Sequence, residues 1–296
     1  MKSGMISIVG RPNVGKSTLL NKILNKKIAI TSDKAGTTRN IILGIYNDED
    51  AQMVFVDTPG IHKPSHKLEK VLNDKAYLMT NNIDVILFMV DIYKGFGKGD
   101  QFVLDRIKDT CDNIILLLNK VDNLKKEELI KRINDIKDIY PFKEIIPISA
   151  MKGINVGDLI KTLKKYLPYE GKFYDNSYIT NQPISLIITE RVREKVLHLT
   201  HDEIPHTVTC IMEEMEEDEH LLSASVNIIV DRDNLKKIII GKNGSLLKEI
   251  GTRARMDLEE YFGKKVFLSL YVKVIKNWRD RESLIHELGL KDDLDE

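Results

Sequence analysis

The 296 residues carry 45 Lys+Arg against 45 Asp+Glu, with 42% hydrophobic and 30% charged residues, a composition that excludes a disordered or fibrous chain. The length is about twice that of one ordinary domain, so two cores are expected, and the two cysteines, Cys111 and Cys210, cannot build a disulfide framework or a zinc site and are expected to pack inside. No apolar run approaches the ~20 residues that span a bilayer, and residues 1–9 lack the basic flank, apolar core and small-residue cleavage site of an export signal, so a cytoplasmic location is expected.

The first half alternates short apolar runs with amphipathic stretches, the pattern of a mostly parallel sheet covered by helices. Strands are predicted at 5–9, 53–56, 85–90, 114–118 and 145–148. Helices are predicted at 16–24, 68–80, 101–110, 124–139 and 156–167, and an extended run at 41–46 reads as an antiparallel edge strand. Residues 168–182, rich in Tyr, Gly, Asn and Pro, read as a connection. The second half changes order, with a helix at 183–198, strands at 206–213 and 223–230 around an acidic turn, helices at 234–240 and 245–261, and a strand at 266–274. The expected architecture is an α/β domain over 1–170, a linker over 171–182, an α+β domain over 183–280 and a tail over 281–296, with 291–296 frayed.

Charge divides with the domains. Residues 1–176 hold 28 basic against 22 acidic side chains, and the remainder 17 against 23. Within the second half, 201–235 has one Arg against ten acids, while 236–276 has ten basic residues against four acids. A basic segment in an acidic domain is an electrostatic footprint for a polyanion or a solvated helix face.

Gly10-Arg11-Pro12-Asn13-Val14-Gly15-Lys16-Ser17-Thr18 matches the phosphate-binding loop pattern and lies between a predicted strand and a helix, where the pattern has meaning. The glycines let backbone N–H groups face phosphate oxygens at a helix N-terminus, Lys16 adds a charge at the β and γ phosphates, and Ser17 can ligate Mg2+. Asn119-Lys120-Val121-Asp122 follows the strand 114–118, at the end where open α/β sheets bind ligands. A carboxylate there accepts from both the ring N–H and the exocyclic amine of guanine, and adenine leaves it unpaired. Asp57-Thr58-Pro59-Gly60 ends another strand, with Asp57 able to hold Mg2+ through water and the Gly60 amide able to reach a γ phosphate. Gly36-Thr37-Thr38-Arg39 and Ser149-Ala150 complete the set.

These elements in this order resemble the translation-factor-related P-loop GTPases. The resemblance implies Thr38 as the switch threonine on Mg2+, with Thr37 the runner-up, and Ser149 and Ala150 as a guanine buttress. Lys16, Thr38 and Gly60 would then serve catalysis. After Gly60, where many small GTPases carry a Gln that orients water, stands Ile61; this resembles the hydrophobic-substituted branch, in which Asn13 would help hold a potassium ion. Arg39 is expected to be a solvated loop residue.

In the second half, Ile240-Gly241-Lys242-Asn243-Gly244-Ser245 between two predicted helices has the Gly-x-x-Gly signature of KH domains, whose glycines admit phosphates beside an apolar groove for about four unstacked bases. The α-β-β-α-α-β order resembles the type II KH arrangement. A GTPase domain followed by one such module, with Lys34 to Arg39, Glu203-Ile-Pro-His206 and Val272 to Trp278 also matching, resembles the Era family. That resemblance implies GTP hydrolysis, binding of the 3′ end of 16S ribosomal RNA, action in 30S subunit assembly with GTP gating RNA binding, a monomer, and peripheral contact with the inner membrane. The rival is a non-enzymatic or GTP-regulated protein acting on another RNA. His62 and His66 have no third ligand nearby in sequence and read as mobile surface residues; Lys161, Lys164 and Lys165 read as an exposed helix face.

Overall fold

The computed structural model describes residues 1–290. They form two compact units: residues Met1–Thr31, Thr38–Ser65 and Glu69–Asn181, and residues Ser32–Thr37, His66–Leu68 and those from Gln182 on.

The first unit runs β1 (Lys2–Gly10), α1 (Lys16–Leu24), β2 (Ile42–Asn47), β3 (Ala51–Asp57), α2 (Lys67–Leu78), β4 (Val85–Asp91), α3 (Lys98–Ile107), β5 (Ile114–Asn119), α4 (Lys126–Ile136), β6 (Glu144–Ile148), α5 (Val156–Leu163) and β7 (Tyr169–Glu170). The sheet order is β2-β3-β1-β4-β5-β6, parallel except where β2 runs antiparallel to β3 at the edge. β3, β4 and β5 are buried on both faces, so they read in sequence as near-continuous apolar runs rather than alternating ones. Their side chains nonetheless divide by face. Val85, Leu87 and Met89 join Leu19, Leu20 and Ile23 of α1 and Leu159 and Leu163 of α5; Ile86, Phe88 and Val90 join Ala76, Val103, Leu104, Ile107 and Ile136 of α2, α3 and α4.

The connecting segment is not the free linker that its composition suggests. β7 pairs antiparallel with β1, Ile45 N donates to the Ile179 carbonyl at 2.9 Å, and Thr180 bridges Gly44. Gln52 is fully buried in β3 and takes both backbone amides of Phe173 and Tyr174 on Oε1, at 2.7 and 2.9 Å, while Nε2 donates to the Tyr174 carbonyl at 2.8 Å and to Asn47 at 2.7 Å. A primary amide offers two donors and two acceptor lone pairs, and here every one is used.

The second unit runs α6 (Ile184–Leu199), α7 (Ile204–Thr207), β8 (Thr209–Glu217), β9 (Leu221–Val230), α8 (Asp233–Ile240), α9 (Ser245–Phe262), β10 (Lys265–Val274) and α10 (Glu282–Glu287). Its sheet is β10-β9-β8, with β9 parallel to β10 and antiparallel to β8. The expected order stands, with corrections. Residues 204–207 form a turn of helix with Pro205 near its start, and the strand starts only at Thr209. That strand runs on through Glu213–Glu217, because an exposed edge strand keeps its charged side chains in water. The apolar spacing of α6 predicts one buried stripe of Ile184, Ile187, Ile188, Val192 and Val196; Ile184 is only half-buried, while burial extends to charged residues, with Arg193 paired to Glu190 at 2.7 Å and Lys195 to Asp257 of α9. The predicted tail contains α10, held by buried Ile285; the expectation of fraying at 291–296 lies outside the described residues. Both cysteines are half-buried rather than internal.

Replacing Gln52 with Leu removes three hydrogen bonds to the segment 173–174 and one to Asn47. Urea unfolding of the first unit is expected to lose about 3 kcal/mol, at about 1 kcal/mol net for each hydrogen bond lost; an unchanged midpoint would show that Gln52 does not hold the segment.

Candidate functional site

The predicted motifs come together at the carboxyl ends of the strands. Gly10 ends β1, Asp57 ends β3 and Asn119 ends β5, so their loops converge on one rim of the sheet. Ser17 Oγ donates to Asp57 Oδ2 at 2.6 Å and lies 2.8 Å from Thr38 Oγ1, which brings three predicted metal-site oxygens into one cluster. Thr37 turns away and donates to the Lys34 carbonyl at 2.7 Å, so the hydroxyl at this cluster is that of Thr38. Asp57 Oδ1 is buried with no hydrogen-bond partner. An orphaned carboxylate oxygen beside two hydroxyls is a hard-oxygen donor set that fits Mg2+.

Lys16 is buried, and its ammonium donates to the carbonyls of Gly10 and Arg11 at 3.3 and 3.2 Å. Burial pushes Lys16 down to about 8, against the pull of Asp57. It also pushes Asp57 up to about 6, against the opposing effects of Lys16 and the Ser17 hydrogen bond. Thr58 is tied to the Ile8 carbonyl at 2.9 Å, Pro59 is buried, and Gly60 passes so close to Pro12 that a Cβ there would stand 2.6 Å from the Pro12 nitrogen. Ile61 N donates to the Gly10 carbonyl at 3.1 Å while the Ile61 side chain is fully buried among Val9, Ala76 and Phe88.

The base-reading segment is braced from below. Asn119 Nδ2 donates to the Val14 carbonyl at 2.7 Å and Oδ1 accepts from Ala150 N at 2.9 Å, joining the phosphate loop to the Ser149-Ala150 turn. Ser149 is buried and its Oγ accepts from Lys152 N at 3.1 Å. Lys120, at φ 70°, donates to the Asn13 carbonyl at 3.0 Å and pairs with Asp91 at 2.7 Å. Asp122 follows on an exposed single turn, Val121–Asn123. Asn13 has a left-handed backbone, φ 64°.

In the second unit, α8 ends at Ile240 and α9 begins at Ser245, with the turn Lys242–Gly244 between them. Gly241 has φ 72°, and a Cβ there would stand 2.9 Å from the Leu246 nitrogen, so this position admits only glycine without rearrangement. Lys242 and Asn243 are exposed at the tip. On α9, Gly251 faces Leu270 of β10, where a Cβ would stand 3.3 Å from Leu270 Cδ1. Leu246, Leu268 and Leu270 are half-buried.

Residues 5–120 match the family described as 50S ribosome-binding GTPase, and residues 203–279 match the KH domain family. Two crystal structures are each 42% identical to the chain, cover 98% of it and 99% of their own length, and superpose with a TM-score of 0.95. One is Era in complex with MgGDPNP and nucleotides 1506-1542 of 16S ribosomal RNA; the other is an Era variant from Aquifex aeolicus bound to GDP.AlF4-. The chain belongs to the Era family.

Several residues around this Era-family site escape motif reading. Asp91, at the end of β4, fixes Lys120; the signal was an acid closing an otherwise apolar strand. Asn21 of α1 binds the segment before Thr38, accepting from Ile28 and Ala29 N at 2.9 Å and donating to the Ala29 carbonyl at 2.7 Å. Arg39 is 3% exposed rather than solvated. His62 is held rather than mobile: it lies 3.3 Å from Glu69, and its carbonyl accepts from Asn73 at 2.6 Å. Among the described residues no cluster of three or more His, Cys, Asp or Glu could hold a metal. Lys161 and Lys164 pair with Asp158 and with Asp48 and Asp50, and no helix of the described residues is long and apolar enough to cross a membrane.

The buried charges imply a measurable cost. A carboxyl whose folded-state value, about 6, lies above its unfolded value of 3.8 destabilises the fold when ionised. That cost is absent below the unfolded value, grows as pH rises, and is complete above about 6. At pH 7.5, nucleotide-free Asp57→Asn protein is expected to exceed wild type by about 3 kcal/mol, at ~1.4 kcal/mol for each tenfold change in proton affinity between the unfolded and folded chain, with the difference vanishing near pH 4. Equal unfolding curves for the two proteins at pH 7.5 would refute a buried, ionised Asp57.

Proposed function

We propose that the chain is a GTP hydrolase that binds GTP at the loop Gly10–Thr18 and RNA at the loop Ile240–Ser245, acting on the 3′ end of 16S ribosomal RNA in assembly of the 30S subunit. The observation that carries this reading is the near full-length likeness to Era, whose crystal structure holds a GTP analogue, magnesium and a 16S rRNA fragment together. The convergence of Ser17, Thr38 and Asp57 supports it, because a degenerate nucleotide site would not keep an orphaned buried carboxylate beside two hydroxyls.

In this reading the amides of Asn13 to Thr18 and the Lys16 ammonium receive the β and γ phosphates. Asp122 accepts from the guanine ring N–H and amine, with Asn119, Lys120, Val121, Ser149 and Ala150 shaping the base pocket. Mg2+, held by Ser17 and Thr38 and by Asp57 through water, would neutralise charge between the β and γ oxygens. Lys16 leaves its two carbonyl acceptors for phosphate oxygens, and with that anion beside it the ammonium is held charged. The Gly60 amide is placed to donate to the γ phosphate. Potassium takes neutral oxygen donors, and the Asn13 amide oxygen suits that chemistry; faster turnover in potassium than in sodium salts is the corresponding expectation. Water attacks without a polar side chain at position 61, so unaided turnover is slow.

On the RNA side, phosphates approach Gly241 and Gly244, Lys242 supplies charge, and bases lie over the apolar floor at Gly251 and Leu270. Loss of the γ phosphate releases the Thr38 and Gly60 segments and with them the RNA-accepting state. A cytoplasmic monomer and a peripheral membrane contact stand as proposals from family likeness.

Binding to a short RNA copying the 3′ end of 16S rRNA is expected to be tighter with a non-hydrolysable GTP analogue than with GDP, and a scrambled RNA is expected to bind weakly in both states. Equal affinity with both nucleotides would sink the gating. Lys242→Asp with Asn243→Asp, at exposed positions, is expected to abolish RNA binding with GTP hydrolysis intact. Asp122→Asn is expected to weaken GDP binding by about 10²-fold or more, on the scale of a lost base-reading contact; retained affinity would displace Asp122 from the guanine.

A further inference from the structure

The phosphate loop has an anchor outside the nucleotide site. Arg11 Nη1 lies 3.2 Å from Asp100 Oδ2 on the first turn of α3, and Asp100 is 2% exposed. The same carboxylate oxygen accepts from Gly97 N at 3.0 Å, closing the start of the helix. Between the two, the Arg11 side chain crosses Gly99 so closely that a Cβ there would stand 2.6 Å from Nε and 2.8 Å from Cζ. The first turn of α3 is therefore a seat for Arg11, with a side-chain-free slot for the guanidinium and a buried carboxylate at its end.

The backbone of the seated residue touches two parts of the site. The Arg11 carbonyl accepts from Lys16 Nζ at 3.2 Å. Pro12, the next residue, is the surface against which Gly60 rests, within 2.6 Å of a Cβ at that position. Where the Arg11 side chain is fixed, the Arg11-Pro12 peptide is fixed, and with it the acceptor for Lys16 and the stop for Gly60. The capping contact itself needs only an acceptor on the third helical residue to meet the Gly97 amide, which a side-chain amide oxygen also supplies. Neither the buried charge nor the open slot at Gly99 is needed for capping.

We propose that Asp100 is a positioning residue for the nucleotide site: acting through Arg11, it holds the Arg11-Pro12 backbone in the form that receives the phosphates. This rests on the reading of the loop as a GTP site. Because the seat shapes the loop in every nucleotide state, its loss removes binding energy that substrate and transition state share. Such a loss raises KM and leaves kcat in place.

The test is a double-mutant cycle in the full chain. Asp100→Asn keeps the cap acceptor and loses the charge; affinities for GDP and for a GTP analogue are expected to fall together by about tenfold, with KM rising in the same ratio and kcat within about twofold. Arg11→Ala is expected to lose a similar amount, with the double variant no weaker than Arg11→Ala alone, because the two residues act as one unit. Unchanged affinity in Asp100→Asn, or additive losses in the double variant, would overturn the proposal. If wild-type protein bound no guanine nucleotide, the functional reading would fail and the seat would still be decided by hydrogen exchange of the Ile61 amide, which donates to the Gly10 carbonyl beside the Gly60 stop, in nucleotide-free protein. Exchange about tenfold faster in both single variants supports the seat, on the usual correspondence between local opening and exchange; unchanged exchange overturns it.

Discussion

Asp57 and Lys16 are both buried and opposite in charge, yet Lys16 donates to the Gly10 and Arg11 carbonyls and Asp57 accepts from Ser17. Desolvation acts on each in the direction that disfavours its charge, and the carboxylate keeps one oxygen without a partner. A protein selected only for stability would replace such a pair with apolar residues. The surrounding structure tolerates it by fixing both groups to backbone that has little freedom to relax. Asp57 sits at the end of β3, which is buried along its whole length, and Lys16 opens α1, whose Leu19, Leu20 and Ile23 lock into the core. The cost of holding these charges dry is one that added opposite charge, rather than further packing, can offset.

The rest of the first unit serves that arrangement. Asn119 uses both ends of its amide, on the Gly10–Ser17 loop and on the Ser149-Ala150 turn, so these two predicted motifs share one strut. Lys120 adds a second strut from Asp91 to the Asn13 carbonyl. Arg11 on Asp100 adds a third, from the first turn of α3. The glycine-rich loop is thus flexible by composition and rigid by attachment, as preorganised electrostatic stabilisation requires.

Much of this was legible in the sequence because motifs encode backbone geometry. The spacing of Gly10, Gly15, Lys16 and Ser17 only works between a strand and a helix, and the apolar runs at 53–56, 85–90 and 114–118 read as strands buried on both faces. The Gly241 and Gly244 turn was legible for the same reason. What escaped were contacts between residues far apart in sequence. Gln52 is one polar residue in an apolar strand, and nothing local says that it holds residues 173 and 174. Arg11 and Asp100 are 89 residues apart, and each alone reads as a solvated loop or a helix cap. β8 was read too short because a run of glutamates suggests a turn, although an edge strand can carry it in water.

Position 61 shows how packing sets the chemistry. Ile61 follows Gly60, yet its side chain points into the apolar cluster with Val9, Ala76 and Phe88 while its amide is tied to Gly10. The residue that in other GTPases would orient water here anchors the segment to the core. Gly60 is thereby held between a buried Ile61 on one side and Pro12 on the other, a placement that favours a fixed amide over a mobile catalytic side chain. The position after Gly60 therefore offers no polar side chain to the rim on which the strands ending in Gly10, Asp57 and Asn119 converge.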